Sequence, residues 1–502
     1  MLTENRAIIV LSMRTPFCFI LLALAVCAAV TPGNLGSIDA RRRLQVARWL
    51  RGSGPEVSPG DAAFGIAGRN GTRHAWFGIG QSLVLLPIDA VVNGAVSPFL
   101  QSRFSPEKRE QVVELLDAFF MQFVITSFVL IAGYQVLLSF GFSPLASAAG
   151  VVSLLFGTTC LQYVQSAQEN DLLLALDLGA LWAIERWRRG SGPWASVAGV
   201  ACGLAILTRL PSVLDAAVFA LLLCSIGNAR QFLREYLPPI VGALVIDRLY
   251  HWMRFGEFLS TYIGIYARQS PPQGKPPGFP FSYPFWRGFL GTLFSPDKSI
   301  LLFDPLLLVL ALVAVWRWRN FDRTLRITLQ YLVALLVGYI ALYAKYFDFG
   351  GDVAWAHRFV TVPVQLLALF AVPLLLTQSK AISALGRGAA WTLVAASVTL
   401  QLASTAIAPN LEVVQRAFGY DRGVVWNRVV NLAELASGGI PPSRAREVPI
   451  EWRSLYYLPF QLRLRFPDLA VWAIRGWLIL VLCLPLLVIA TLRAAAQAER
   501  PG

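Results

Sequence analysis

Asp39 stands in the stretch NLGSIDARRRLQVARWL (34–50), just ahead of Arg41, Arg42 and Arg43 on a segment whose pattern predicts an amphipathic helix. An acid held beside cations stays ionised at neutral pH, and an ionised acid within reach of a hydroxyl can take its proton as a general base. The structural alternative is an acid in a first helical turn meeting the helix dipole, with arginines on lipid headgroups. A second acidic site, Glu169 and Asp171 in YVQSAQENDLLLAL (163–176), has two readings as well, because Asn170 or Asp171 would equally cap a helix. A third site, YFDFGGDVAWAHRFVTVP (346–363), sets His357 and Arg358 behind Gly350 and Gly351. Arginine there either grips a phosphate as a bidentate fork or extends its charge to the membrane surface.

His74, His251 and His357 are the only histidines, and they lack the paired spacing of a metal site, so no metal is assigned and a divalent ion has no support. A GxxxxGK[ST] loop is absent, as is a GxGxxG after a strand, which removes the motifs of nucleotide-driven pumping and dinucleotide chemistry. Asp89, Asp215, Asp247 and Asp304 lie in or beside apolar runs and read as helix-packing or interface residues.

These groups need elements to hold them. The chain has 502 residues, of which 56% are hydrophobic and 14% charged, with a mean hydropathy of +0.58. A soluble surface cannot be made from that composition, so the chain is read as a polytopic all-α membrane protein. Its net charge of +14 fits basic loops that set orientation and meet lipid phosphate better than it fits nucleic acid. All six cysteines fall inside apolar runs and read as packing residues, not as disulfide partners.

Twelve apolar runs are candidates to cross the bilayer, near 15–30, 119–140, 143–163, 171–187, 194–210, 211–226, 237–253, 299–315, 326–343, 359–376, 389–408 and 470–490. The first follows Arg6 and Arg14 and is read as an uncleaved helix. Residues 79–98 are of spanning length but carry Pro87, Asp89 and Asn93. Reading them as helices lying at or dipping into the outer interface puts Arg6 and Arg14, Arg186, Arg188 and Arg189, Arg230 and Arg234, Arg317, Arg319 and Arg323, Lys380 and Arg387, and Arg493 and Arg500 all inside. Both termini are then cytoplasmic, and the outer loops are about 32–118, 254–298, 344–358 and 409–469. Residues 1–408 form the catalytic membrane module on this reading, and 409–502 add an outer loop, a final span and a short tail. The stretch SPPQGKPPGFP (270–280) is expected to be an extended loop. WRSLYYLPFQLRLRF (452–466) reads as an interfacial amphipathic segment.

Taken in order, these pieces resemble the membrane glycosyltransferases of the GT-C superfamily, in particular the bacterial relatives of the protein O-mannosyltransferases and of the lipid A aminoarabinose transferase. The resemblance runs from Asp39 to Arg358 and on to Leu367. It rests on the single outer acid before an arginine-rich helix, on HAWFGIGQSLVLLP (74–87), YVQSAQEND (163–171), GLAILTRLP (203–211) and LFDPLLLVL (302–310), and on GGDVAWAHRFVTVPVQLL (350–367). It implies a bundle of about twelve transmembrane helices with juxtamembrane helices on the outer face. The implied reaction moves a sugar, with inversion, from a polyprenyl-phosphate donor to an acceptor hydroxyl at the outer face of the cytoplasmic membrane. In that reaction Asp39 would be the base, and Arg358, His357 and Arg209 would bind the donor phosphate. Glu169 and Asp171 are candidate assisting acids, and Arg42 and His74 candidate substrate contacts. Many relatives have two adjacent acids where this chain has only Asp39, and an arginine in the second loop where it has Gln165 and Gln168. The acceptor is open: protein, glycolipid or polysaccharide. Competing readings are a secondary transporter or lipid flippase, and a ligase or polymerase using lipid-linked oligosaccharides. The polar candidates gathered on one face and the unlike halves of the chain count against a transporter.

Overall fold

A computed structural model describes residues 2–58, 64–190, 192–226, 229–269, 276–351, 354–420, 422–444, 448–464 and 466–499. Residues 270–275 of the proline-rich stretch, Asp352 and Val353 of the third site, and Arg500 lie outside the described residues. Apart from a two-stranded antiparallel ribbon, Ile66–Ala67 with Arg73–His74, every regular element described is helical.

All twelve apolar runs are helical. Among the described residues six continuous helices are long and apolar enough to cross a membrane, or seven if one bent pair counts as a single span. That pair, Pro144–Gly157 and Cys160–Ser166, turns through 57° at the 143–163 run. Thr158 there is extended, and Asp304 accepts the Thr159 N–H at 2.8 Å, which begins the second helix on a new axis. Pro305 likewise divides 299–315 into Ile300–Phe303 and Leu306–Arg317. Gly80–Gln101, covering the 79–98 run, is one of the six by length and apolarity. The 119–140 run extends upstream into a helix from Pro106 to Ser139, because Ser105 caps it and Pro106 suits its first position. Three of the four expected outer loops, 32–118, 254–298 and 409–469, carry helices of their own.

One apolar core runs through the bundle. Glu169–Arg189 packs between Pro106–Ser139 and Trp194–Thr208, which leans in turn on Ala229–Phe255. The first helix, Leu2–Val30, lies against the last, Pro467–Ala498. That last helix leaves Ile479, Leu482 and Leu486 bare of protein, an apolar stripe for lipid tails to cover.

The helices also separate two ends. Glu169–Arg189 has 21 residues, so its Glu169 lies roughly 30 Å from the Arg186, Arg188 and Arg189 of its last turn. Trp194–Thr208 returns to the Glu169 end and delivers Arg209, and Arg323–Tyr343 delivers Tyr343 there from a start at Arg323.

Candidate active site

Asp39 is set by local chemistry. Asn34 accepts the Gly36 N–H at 2.7 Å in a tight turn, and Ser37 caps the Ile38–Leu50 helix by accepting from the Ala40 N–H. Gly36 has φ +69, and a Cβ there would lie 2.6 Å from the Ser166 Cα. Only glycine lets this turn rest on the end of the Cys160–Ser166 helix. Asp39 therefore leaves the first helical turn partly exposed and meets Arg358, whose Nη1 donates to its Oδ2 at 3.0 Å.

Arg43 lies one turn beyond Asp39 on the same helix, and its guanidinium pairs with Glu169 at 2.8 Å, both side chains buried at 3% and 9% exposure. The Arg43 guanidinium also lies 4.2 Å from the Phe77 ring centroid. Burial alone would push Glu169 towards its neutral form, but the guanidiniums of Arg43, Arg358 and Arg209 outweigh it and hold the carboxyl at about 2. Asn170, next along, donates to the Arg358 carbonyl at 2.6 Å and so fastens the third site to the second.

Arg358 and Arg209 flank one ring, their guanidinium carbons 5.3 and 5.2 Å from the Phe359 centroid. Arg209 donates to the Tyr343 hydroxyl and the Phe359 carbonyl, both at 3.1 Å. Gly351 makes room for Arg358: it has φ +79, and a Cβ on it would come within 2.4 Å of the Arg358 Cγ. Lys298 secures the same loop by donating to the carbonyls of Ala354 and Ala356 at 2.8 and 3.1 Å.

Asp39, Glu169, Arg209 and Arg358 thus converge, with Arg43 added. Three cations face two carboxylates, leaving one net positive charge at this end of the bundle. The other candidates stand differently. His357 is adjacent and buried, and burial, then Lys298 and Arg209, lower its pKa to about 3. It is neutral at physiological pH and brings no positive charge to a phosphate. Asp171 is sealed among the helices, its burial complete. Arg42 donates to Gln45 at 2.9 Å and lies 5.1 Å from the Phe64 ring. His74 sits on the ribbon, its Nδ1 2.5 Å from a Glu56 carboxylate that also pairs with the buried Arg254.

Arg43, Phe359, Tyr343 and Gly351 were not singled out as site residues from sequence. For Arg43 a signal existed, since a residue four places after Asp39 shares its helical face. The stacking of Tyr343 on Phe359, centroids 4.2 Å apart, joins the end of one helix to the turn before the next and leaves no trace in sequence. Gln165 and Gln168 are both buried. The Gln165 amide donates to the carbonyls of Val30, Thr405 and Tyr456, joining the ends of three segments. Among the described residues no three His, Cys, Asp or Glu side chains gather as metal ligands would.

No family profile and no curated protein sequence matches the chain. Among solved structures it is similar to the apo oligosaccharyltransferase of Archaeoglobus fulgidus, with a TM-score of 0.45 at 11% identity over 78% of this chain. The chain spans 56% of the length of that enzyme.

Proposed function

We propose that this protein is an inverting glycosyltransferase of the cytoplasmic membrane that moves a sugar from a polyprenyl-phosphate donor to an acceptor hydroxyl at the outer face. The observation that carries the reading is the Asp39–Arg358 ion pair at 3.0 Å, set beside the Arg43–Glu169 pair and Arg209. A general base and a cationic pocket are the two devices that such a transfer needs.

The acceptor oxygen attacks the anomeric carbon while the bond from that carbon to the phosphate oxygen breaks. Asp39 takes the proton of the attacking hydroxyl, and the polyprenyl phosphate departs with the bonding pair. Arg358 and Arg209 neutralise the charge that grows on it. At rest Asp39 is engaged by Arg358. A donor phosphate that draws Arg358 to itself frees the carboxylate for the hydroxyl, so the base becomes competent when the donor is bound. Glu169 keeps Arg43 fixed, and one net positive charge suits the single negative charge of a phosphodiester. A greasy donor carrying a charged, sugar-bearing head accounts for placing these groups at the end of a membrane bundle.

Asp39→Asn is expected to lower transfer by at least about a thousandfold with thermal stability unchanged. Arg358→Ala is expected to raise the KM for donor more than that for acceptor. Transfer at the parent rate by a folded Asp39→Asn protein would remove the base and the reaction with it.

A further inference from the structure

Arg209 leaves the Trp194–Thr208 helix on extended backbone, so its direction is set by what lies beneath it. Both oxygens that hold its Nη2 belong to a stack of aromatic residues. Tyr343 lies face to face on Phe359, with rings 6° from parallel. One turn earlier on the same helix, Tyr339 lies 8° from parallel with Tyr343, centroids 6.3 Å apart. The base of the stack is closed by Asp215, whose Oδ2 accepts the Tyr339 hydroxyl at 2.6 Å. That hydroxyl is also 3.4 Å from the Pro211 carbonyl. Tyr339 thereby ties the Arg323–Tyr343 helix to the 209–215 turn that carries Arg209.

Tyr339 and Asp215 are 4% and 2% exposed, and among the described residues Asp215 has no arginine, lysine or histidine within ion-pair distance. An acid in the apolar bundle is costly, and leucine would fill the space without that cost. Holding Tyr339 is what leucine could not do. With the hydroxyl tethered, the rotation of the turn and the tilt of the ring stack are both fixed, and Arg209 has one direction in which to point.

We propose that Asp215 and Tyr339 are positioning residues for Arg209, acting through the Tyr343–Phe359 stack, and that neither touches the donor. This rests on the reading of Arg209 as a ligand for the donor phosphate. The test uses the full chain in lipid nanodiscs, titrated with undecaprenyl phosphate and followed by tryptophan fluorescence. Tyr339→Phe keeps the ring and removes only the hydroxyl, and Asp215→Leu keeps the size and removes the acceptor. Each is expected to weaken binding about tenfold, the loss of one well-placed hydrogen bond. Arg209→Ala is expected to weaken it about a hundredfold. Adding Tyr339→Phe to Arg209→Ala should weaken it no further, because a positioning residue has nothing left to position.

If Tyr339→Phe and Asp215→Leu bind like the parent while Arg209→Ala binds poorly, the positioning inference is overturned and the phosphate reading stands. A tenfold loss that persists in the Arg209→Ala background also overturns it, by showing that Tyr339 acts independently. Parent-like binding by Arg209→Ala removes the phosphate reading itself, and the inference with it. Should one of the two substitutions prevent folding, the other carries the test unchanged.

Discussion

Replacing Glu169 with alanine leaves the Arg43 guanidinium buried without its acid. The two side chains are 3% and 9% exposed and 2.8 Å apart, so water screens little of their attraction. Breaking such a pair from one side costs about 3–5 kcal/mol. The acidity of Glu169 agrees in sign: despite its burial, Arg43, together with Arg358 and Arg209, holds its carboxyl at about 2, which favours the charged form. Arg43→Ala, Glu169→Ala and the double variant form a cycle in which the coupling should be about 3 kcal/mol, measured by reversible unfolding in mixed micelles. The double variant should be little worse than either single one. The pH dependence follows. Glu169 has a folded pKa below its unfolded value, so its contribution is complete above pH 4.5 and is lost as pH falls towards 2. A single and a double loss that add within ~0.5 kcal/mol, with no dependence on pH in that window, would refute the buried pair as the force holding these helices together.

Gly351→Ala combines a left-handed backbone with a Cβ set into the Arg358 stem. It should destabilise the loop by about 1–2 kcal/mol and lower kcat/KM at least tenfold, whereas unchanged kinetics would mean that Arg358 acts from some other position. His357 is held neutral, its folded pKa near 3 against an ordinary 6.5. The stability tied to it is therefore complete above pH 6.5 and falls as acid charges the ring, so the thermal midpoint should drop between pH 6.5 and 4.5, ahead of the Glu169 window. His357→Phe should flatten that part of the profile, and an unaltered profile would assign it to another group. In whole cells Arg188→Cys should take a membrane-impermeant maleimide only after the cytoplasm is opened, beyond the background of Cys224 and Cys483. Labelling in intact cells would invert the orientation.

The helices were legible because membrane segments state themselves locally. An apolar run of spanning length must satisfy its own backbone hydrogen bonds, so every one of the twelve runs is helical. What the runs did not reveal is where they break. Thr158 and Asp304 are distant in sequence, and the bend at 143–163 depends on one accepting the backbone of the other's neighbour. Local caps were less readable: Ser37 caps the Asp39 helix without having been named, whereas Asn170 and Asp171, the expected caps, lie within the Glu169–Arg189 helix, whose N-cap Gln168 makes no side-chain bond.

Asp39, Glu169, Arg209 and Arg358 could be named from sequence because charged residues at the ends of apolar runs are few and must have a use or a partner. Which of them pair was decided by tertiary structure alone. Asp39 meets Arg358 across 319 positions, and Arg43, not its neighbour Arg42, meets Glu169 because of the rotation of one short helix. His74 and Asp171, which have the same residue types and comparable surroundings in sequence, are taken up by Glu56 and by the packed interior. Composition and periodicity fix which segments must leave water, since that is a property of each segment alone. The meeting of charges depends on how rigid helices are rotated and stacked, and that sum over the whole fold appears in no single stretch of the chain.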